Sequence, residues 1–346
     1  MSTMKPPSAA TDSRDRKAEH IQIALDRRMQ NHGAFDGYRL VHCALPEIDL
    51  ATVDTATTFL DKPLAAPLLI SCMTGGTDEA ARINQNLAIA AERVGVALGV
   101  GSQRKALEDS STRATFEVRE HAPSIPLLGN LGAVQFNYGY GIEECRAAVD
   151  MIGADALVLH LNPLQEAIQP EGDGDFSDLL PKIAAVVKEL EVPVVVKEIG
   201  MGISADVAAA LRDVGVRTID TAGAGGTSWA RIEAERADDL EIGELFADWG
   251  VPTVDSIRAV AALEDVTVIG SGGVRNGIDM AKAIALGADI VGLAYPFLQA
   301  AVESADAVEA KLRRALRELR ICMFCTGARD LGALRRVELI ANGDRT

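Results

Sequence analysis

Four polar side chains follow one apolar segment of the chain closely enough to act together. His160 and Asn162 end the run ADALVLHLN, and Gln165 and Glu166 come just beyond Pro163. Residues two apart on a strand point to the same side, so these groups converge where the strand ends. One carboxylate among neutral oxygen donors cannot enclose a metal, but it suits Mg²⁺, which keeps waters and takes further oxygens from phosphates. Glu166 is therefore the candidate metal ligand.

Two further segments carry cations suited to anionic ligands. Ser102, Gln103 and Arg104 supply a hydroxyl, an amide and a guanidinium in sequence, and such a set fits phosphate oxygens; the alternative for Arg104 is a surface salt bridge. Lys197 interrupts the apolar run PVVVKEIG. A buried lysine needs an anionic partner, and we expect a cofactor anion. The alternative turns Lys197 outward and places Glu198 inside.

Glycine-rich segments recur after other apolar runs. TAGAGGTS, which ends in Thr227 and Ser228, offers several backbone N–H groups, and SGGVR precedes a helix that opens near Gly277. The loops after the seventh and eighth strands, beside a helix N-terminus, are the usual phosphate site of barrel enzymes. Here these loops are SGGVR and the segment at Ala294 and Tyr295. The pattern predicts a phosphorylated cofactor anchored at residues 273–275, with its ring toward Lys197 and Asn130.

Eight short apolar runs must position these residues. They begin near residues 67, 94, 126, 154, 193, 216, 266 and 288, and helical patterns fill the gaps. Runs without polar alternation are typical of parallel strands covered on both faces. Eight such units predict an α/β protein with a closed (β/α)₈ TIM barrel. A doubly wound sheet is disfavoured because the first run ends in MTGG and lacks a G-x-G-x-x-G fingerprint.

The flanking segments predict four regions. Residues 1–15 are interpreted as a disordered tail, 16–66 as an N-terminal helical arm and lead-in, 67–320 as the barrel, and 321–346 as a C-terminal tail. Within the arm, residues 17–30 show helical spacing of apolar residues. The longest gap between runs, residues 227–264, predicts an active-site excursion as well as a helix.

Composition excludes several classes of partner. The 346 residues carry a net charge of −16, so nucleic acid and anionic membranes are unsuitable partners. The N-terminus has no apolar signal core and no run approaches the roughly 18 residues that span a bilayer, which predicts a cytoplasmic protein. Five scattered cysteines fit a reducing compartment. Salt screens the interaction between charges over about 8 Å, so cations that converge on one site can hold an anionic ligand despite the acidic surface.

The motifs together resemble those of the type 2 isopentenyl diphosphate isomerases, which are FMN-dependent barrel enzymes. The resemblance runs from residue 16 to about residue 327. It rests on RKAEHI (16–21), MTGG (73–76), GSQR (101–104), HLNPLQE (160–166), VVVKEIGMG (194–202), GAGGTSW (223–229) and SGGVRNG (271–277). One departure is Ala222, where the family is expected to show a serine near the flavin phosphate.

The resemblance implies a role for each matching residue. The substrate-binding residues are Arg16, Lys17, His20, Ser102, Gln103, Arg104 and Gln165. The FMN-binding residues are Cys72, Met73, Thr74, Ser102, Asn130, Lys197, Thr227, Gly273, Val274, Arg275, Ala294 and Tyr295. His160, Asn162 and Gln165 form a supporting polar wall beside the substrate, and Glu166 holds Mg²⁺.

The resemblance also implies a reaction, which is the interconversion of isopentenyl and dimethylallyl diphosphate without net redox change. NADPH serves only to reduce FMN, Lys197 favours the anionic reduced ring, and we hypothesise that flavin N5 carries the key proton. The implied assembly is a homo-oligomer, a tetramer or an octamer, in which the arm covers or completes a site.

Three alternatives stay open at this point. An FMN-dependent 2-hydroxy acid oxidoreductase needs a histidine base near the last strands, yet no histidine follows His160. A purine-nucleotide dehydrogenase needs a cysteine in the loop after strand six, and residues 227–264 contain none. The third is a non-catalytic flavin-binding barrel, against which Arg104, Gln165 and Glu166 argue.

Overall fold

Each predicted apolar run contains one strand of a closed parallel barrel. The computed structural model describes residues 13–26, 29–31 and 33–343, except for the side chains of residues 13–16 and 18. Before the barrel come β1 (Tyr38–Leu40), β2 (Thr57–Phe59) and β3 (Lys62–Leu64). The barrel strands are β4 (Leu68–Ile70), β5 (Ala97–Gly99), β6 (Leu127–Gly132), β7 (Ala156–Leu161), β8 (Val194–Glu198), β9 (Thr218–Asp220), β10 (Thr267–Ser271) and β11 (Ile290–Leu293). The predicted (β/α)₈ fold is confirmed.

Helices cover the outside of the barrel. They are α1 (Ser13–Ala24), α2 (Asp78–Val94), α3 (Arg104–Glu108), α4 (Ile142–Ile152), α5 (Pro163–Ile168), α6 (Leu179–Glu189), α7 (Ala205–Asp213), α8 (Trp229–Ala237), α9 (Leu240–Leu245), α10 (Thr253–Ala261), α11 (Gly277–Ala285), α12 (Tyr295–Glu303), α13 (Ala305–Cys325) and α14 (Leu331–Leu334). Short 3₁₀ turns occupy residues 50–52, 110–115, 119–121 and 133–137. Within the described residues, no helix is long and apolar enough to cross a bilayer.

The apolar core lies in two layers. One fills the barrel, where inward residues such as Leu128, Val158 and Ile269 pack together with Phe59 and Leu64 of the β2–β3 hairpin. The other lies between the strands and the surrounding helices. Because the hairpin residues pack into the interior cluster, the N-terminal end of the barrel is filled with apolar side chains. Polar chemistry is therefore directed to the opposite end of the barrel.

Strand register aligns the polar residues at that opposite end. Gly132 of β6 pairs with His160 of β7, His160 with Lys197 of β8, and Lys197 with Asp220 of β9. Residues paired across parallel strands point to the same face of the sheet. The register thus places an imidazole, an ammonium and a carboxylate side by side.

The two chain ends differ from their predicted boundaries. Helix α1 begins at Ser13, before residue 16, and ends at Ala24, short of residue 30; residues 1–12 of the predicted tail lie outside the described residues. The region predicted as a C-terminal tail is partly structured. Helix α13 continues to Cys325 because its buried stripe extends through Leu319 and Met323. Strand β12 (Leu339–Ala341) then pairs antiparallel with β1.

The long gap between β9 and β10 contains three helices, α8, α9 and α10. Helix α8 starts with Ser228 as its N-cap, whose hydroxyl accepts from the backbone N–H of Arg231. Trp229, at the first position of this helix, borders the cavity described below. The predicted excursion is therefore present, and its first helix borders the cavity.

Candidate active site

A cavity of about 980 Å³ opens at the carboxyl ends of the barrel strands. It is lined by residues from the ends of the strands and by residues of the N-terminal arm. The predicted site residues that it brings together are Lys17, His20, Cys72, Met73, Thr74, Ser102, Arg104, Asn130, His160, Asn162, Gln165, Glu166, Lys197, Thr227, Gly273, Val274, Arg275, Ala294 and Tyr295. The side chain of Arg16 lies outside the described residues.

Gln103 is the predicted substrate-binding residue that does not reach this cavity. Its side chain is fully buried, where Oε1 accepts from the N–H of Asn130 over 2.9 Å and Nε2 donates to the carbonyl of Ala148 over 2.8 Å. Both ends of the amide are satisfied by backbone, so Gln103 fixes the end of β6. The predicted substrate contact is replaced by a role in positioning Asn130.

His160 is a neutral histidine at the cavity wall. Its Nδ1 lies 2.9 Å from Oδ1 of Asn130, and because an amide oxygen only accepts, Nδ1 carries the proton. Burial lowers the pKa of His160 to about 3, and the charges of Lys197 and Lys17 act in the same direction. The Nε2 atom is left as an acceptor.

Lys197 points into the barrel mouth, as predicted, but its anionic partner belongs to the protein. The ammonium donates to the carbonyl of Glu198 over 2.6 Å and lies 3.8 Å from Oδ2 of Asp220. Burial raises the pKa of Asp220, and Lys197 opposes that rise. The hydroxyl of Ser271 donates to the same carboxylate. Lys197 therefore brings a partly compensated positive charge to the cavity.

Glu198 is buried as well, although Lys197 is the residue that points inward. Its carboxylate accepts from the consecutive N–H groups of Ile199, Gly200 and Met201. Burial raises the pKa of Glu198 to about 7, against the effect of these donors. Glu198 thus shapes the turn after β8 and does not line the cavity.

Glu166 lies on α5, which begins with Pro163 at a position where its missing N–H is not needed. Its Oε1 accepts from Nδ2 of Asn162 over 2.7 Å, and its Oε2 accepts from the N–H of Asp173 over 2.7 Å. The Oδ1 atom of Asn162 is buried without a hydrogen-bond partner in the described part of the chain. A carboxylate and a free amide oxygen together fit a Mg²⁺ ion that takes its other oxygens from water and substrate. No group of three or more acidic, histidine or cysteine side chains among the described residues could hold a metal alone.

Arg104 lines the cavity, and its guanidinium is paired with two carboxylates of the protein. Its guanidinium donates to Asp173 over 2.6 Å and to Glu108 over 2.8 Å. Lys17 of the arm approaches the same side, with its ammonium 3.5 Å from the carbonyl oxygen of Ser102. These cations form the region of the cavity best suited to a diphosphate.

Glu233 is a central residue that sequence reasoning missed. It is fully buried on α8, where its carboxylate accepts from Nε2 of Gln165 over 2.6 Å, lies 3.0 Å from Nε2 of His20, and pairs with Arg236 over 2.6 Å. Burial opposes ionisation, but these donors outweigh it and lower the pKa of Glu233. Burial also lowers the pKa of His20. One signal in the sequence could have revealed Glu233. It is an acidic residue flanked by Ala230 and Ala234, on a helix face that is otherwise buried.

The glycine-rich loops after β9 and β10 contact each other through backbone. A Cβ atom on Gly226 would lie 2.5 Å from the nitrogen of Gly273, and one on Gly272 would lie 2.2 Å from the carbonyl oxygen of Gly223. Only glycine allows this approach, so two loops come together at the site predicted for a phosphate. We call them the glycine loops, residues 221–228 and 271–275.

Arg275 reaches the glycine loops but turns its charge away from the predicted phosphate. Its guanidinium donates to Asp279 over 2.8 Å and also to Asp36, and these two carboxylates raise its pKa. The guanidinium of Arg275 is therefore engaged by carboxylates of the protein. Ala222, the departure from the family pattern, has a φ of 35° and donates its N–H to the Ser271 hydroxyl over 3.0 Å.

Buried polar atoms without a hydrogen-bond partner in the described residues mark the cavity as a ligand site. Apart from His20 Nε2, which lies near Glu233, they are Gln30 Nε2, Ser71 Oγ, Thr74 Oγ1, Gln135 Oε1 and Asn162 Oδ1, and each belongs to a residue that lines the cavity. Buried polar groups are normally satisfied, so this group of unpaired atoms indicates a polar ligand.

Comparison with known proteins identifies the class of this barrel. A family model described as FMN-dependent dehydrogenase matches residues 164–341. A flavocytochrome b2 variant with bound pyruvate superposes with a TM-score of 0.69 at 18% identity, over 93% of this chain and 82% of that one; at this identity the likeness shows the fold alone. Fold, site and family model define a (β/α)₈ barrel enzyme of the FMN-dependent class.

Two relatives show to which family of that class the chain belongs. The chain is 52% identical to the isopentenyl-diphosphate delta-isomerase of Synechococcus sp., over 96% of this chain and 97% of that protein. It is 51% identical to the protein of the same name from Paracoccus zeaxanthinifaciens, over 94% and 97% of the two chains. The chain belongs to the isopentenyl-diphosphate delta-isomerase family.

Proposed function

We propose that this protein interconverts isopentenyl diphosphate and dimethylallyl diphosphate in isoprenoid biosynthesis, with FMN and Mg²⁺. The observation that carries the proposal is 52% identity over 96% of the chain to a relative named for this isomerisation. The cavity supports it, because one opening contains both cationic groups and unpaired polar atoms. A diphosphate and a flavin nucleotide require both kinds of group.

FMN is proposed to bind in the inner part of the cavity, against the residues assigned to it from the sequence. The hydroxyl of Thr74, which is buried and unpaired among the described residues, fits a polar edge of such a ligand. Lys197 would place its positive charge beside the bound ring and would favour the anionic reduced form. When bound, reduced FMN supplies an acid–base group that adds a proton to the substrate and removes another.

The substrate's diphosphate is proposed to bind near Lys17, Ser102 and Arg104, with Mg²⁺ on Glu166. Arg16 stays a predicted member of this group. The hydrocarbon tail of the substrate offers no polar contact, so fixing the diphosphate fixes the position of the reacting carbons. Gln165, held by Glu233 over 2.6 Å, faces the cavity beside this clamp.

His160 supports the assignment of proton transfer to the flavin. A pKa of about 3 keeps its imidazole neutral at physiological pH, so it is a poor proton donor. Its Nδ1 proton is engaged by Asn130. We propose that His160 and Asn162 orient the substrate beside the ring.

A 2-hydroxy acid oxidoreductase is the alternative suggested by the fold of the solved structures. That chemistry needs a histidine base near the final strands of the barrel, and no histidine follows residue 160 in this chain. The described C-terminal strand ends offer Ser271, Ala294 and Tyr295 instead. We therefore favour the isomerase.

Three further features are proposed from the family resemblance. NADPH is the reductant of FMN, the protein is a homo-oligomer of four or eight chains, and it acts in the cytoplasm. The five cysteines are free thiols, which supports a reducing compartment. A comparison of NADPH with NADH tests the choice of reductant, and light scattering measures the number of chains.

One experiment decides between the isomerase and the oxidoreductase. Purified flavin-loaded protein, supplied with NADPH and Mg²⁺, should convert isopentenyl diphosphate into dimethylallyl diphosphate, as followed by mass spectrometry or NMR. A parallel incubation with lactate or mandelate should leave the oxidised flavin unreduced. Reduction by a hydroxy acid, without turnover of the diphosphate, would replace the proposed function by the oxidoreductase alternative.

A further inference from the structure

The segment that follows α1 lies across the glycine loops. Gln30 forms an antiparallel β-bridge with Thr227, and the N–H of Asn31 donates to the carbonyl of Gly226 over 2.7 Å. Within the predicted arm and lead-in of residues 16–66, we use the name lead-in segment only for residues 29–31 and 33–42. Backbone pairing therefore fixes this segment to the loop that carries Thr227.

Close packing holds the same segment against both glycine loops. A Cβ atom on Gly225 would lie 2.6 Å from Cβ of Ala34, and one on Gly273 would lie 3.0 Å from it. Behind this contact, the buried ammonium of Lys282 donates to the carbonyl of Phe35 over 3.0 Å. The lead-in segment is thus a packed wall of the cavity rather than a loose strand over it.

The side chain of Gln30 extends this contact into the cavity. Its Oε1 accepts from the hydroxyl of Thr227 over 2.9 Å. Its Nε2 is buried, belongs to a cavity-lining residue, and has no hydrogen-bond partner among the described residues. A threonine hydroxyl has a single proton, which Thr227 gives to Gln30. The donor that this pair presents to a ligand is consequently the Gln30 amide.

A phosphoryl group matches this donor. Phosphoryl oxygens accept hydrogen bonds, and the loop after the seventh barrel strand is one of the two loops from which barrels usually bind phosphate. The loop that carries Thr227 contacts it through Gly225 and Gly226. Arg275 engages Asp36 and Asp279. While carboxylates hold the Arg275 guanidinium, the Gln30 amide is a side-chain donor that is still available at this place.

We propose that Gln30 is a cofactor-binding residue whose Nε2 donates to the phosphate of FMN. This assignment rests on the proposed binding of FMN in the cavity. It makes the lead-in segment, which precedes the barrel in sequence, part of the cofactor site. Affinity for FMN then depends on this segment as well as on the barrel loops.

The test compares FMN with riboflavin, which has the same ring and no phosphate. Gln30→Glu keeps the size and the Oε1 acceptor but replaces the donor with a second anionic oxygen. Binding to flavin-free protein, followed by quenching of flavin fluorescence, should weaken at least about tenfold for FMN. Riboflavin binding should change by less than about twofold.

Gln22→Glu is the matched control, since it makes the same change on an exposed residue of α1. It should leave FMN binding unchanged. If Gln30→Glu does not fold, Gln30→Met keeps the volume without the donor, and it should likewise weaken FMN more than riboflavin. Wild-type affinity for FMN in the variant, or equal weakening of both flavins, would overturn the role of Gln30. Failure of the wild-type protein to bind FMN would instead overturn the proposed cofactor site.

Discussion

At the scale of single residues, the site depends on groups whose charge is set by their surroundings. Glu166 sits among donors, His160 is kept neutral by burial, and Lys197 is partly compensated by Asp220. None of these states follows from residue type alone. Each one can be tested by a conservative substitution or by pH.

Replacing Glu166 by glutamine removes the proposed metal ligand and preserves the side-chain shape. The variant should fold and retain flavin, while the Mg²⁺-dependent rate should fall by at least about tenfold. Turnover measured across a series of Mg²⁺ concentrations checks this. Glu189→Gln, an exposed position at the end of α6, should behave as wild type. Unchanged Mg²⁺ dependence in Glu166→Gln would remove Glu166 from the site.

Cys72 should be an unreactive thiol despite its position in the cavity. Burial raises its pKa to about 11, so at pH 8 only about one molecule in a thousand carries the reactive thiolate. The rate of alkylation by iodoacetamide in flavin-free protein should rise with pH up to about 11. Mass spectrometry of the labelled peptide measures it. Rapid labelling at pH 8 would contradict this assignment.

At the scale of elements, the loop after α5 joins the two halves of the proposed diphosphate clamp. Asp173 accepts from Arg104 over 2.6 Å and donates its N–H to Glu166 over 2.7 Å. Gly172 permits the turn, because a Cβ there would lie 1.8 Å from the Glu166 carbonyl oxygen. The loop therefore neutralises the arginine that the diphosphate is proposed to use.

Asp173→Asn should make Arg104 more available to a diphosphate. The amide keeps the shape and the backbone donor to Glu166, but it no longer neutralises the guanidinium. Inorganic pyrophosphate with Mg²⁺ should bind about three- to tenfold more tightly, as measured by calorimetry. Glu108→Gln, which removes the more exposed partner of Arg104, should have a smaller effect. Weaker binding by Asp173→Asn would show that the loop assists the ligand instead.

At the scale of the whole molecule, the two ends of the chain are joined outside the barrel. Strand β1 pairs with β12, and the N–H of Asn342 donates to the carbonyl of Gly37 over 2.7 Å. This pairing holds the lead-in segment at Tyr38–Leu40, after the residues that contact the glycine loops. It links β12 to a segment that lines the cavity.

Ending the chain at Val337 removes β12 and should release β1. Hydrogen exchange at residues 38–40 should become faster, because their antiparallel partners are lost. The amides of β6, β7 and β8, buried in the barrel, should keep their protection. Mass spectrometry of exchanged peptides separates the two regions. Unchanged exchange at residues 38–40 would mean that β12 does not stabilise the lead-in segment.

The sequence predicts the barrel and most of its site because both are encoded locally. Eight apolar runs mark the strands, and the residues after them reach one cavity by topology alone. Side-chain direction is less predictable. Gln103 follows a cavity residue but is buried against backbone, and Arg275 lines the cavity but is paired with carboxylates.

Contacts between distant segments leave no local pattern to find. Glu233 of α8 contacts His20 of α1, and β1 pairs with β12 from the opposite end of the described chain. The apolar stripe of α13 did extend past the predicted boundary, and following it to Met323 would have shown the helix. Short paired strands such as β12 have no such stripe.

The pairing of β1 with β12 joins two segments that the whole barrel separates in sequence. Closing so long a loop costs conformational entropy that two three-residue strands do not repay by themselves. The pair therefore depends on a folded barrel to hold its two segments close, and it should open before the barrel does when the protein unfolds.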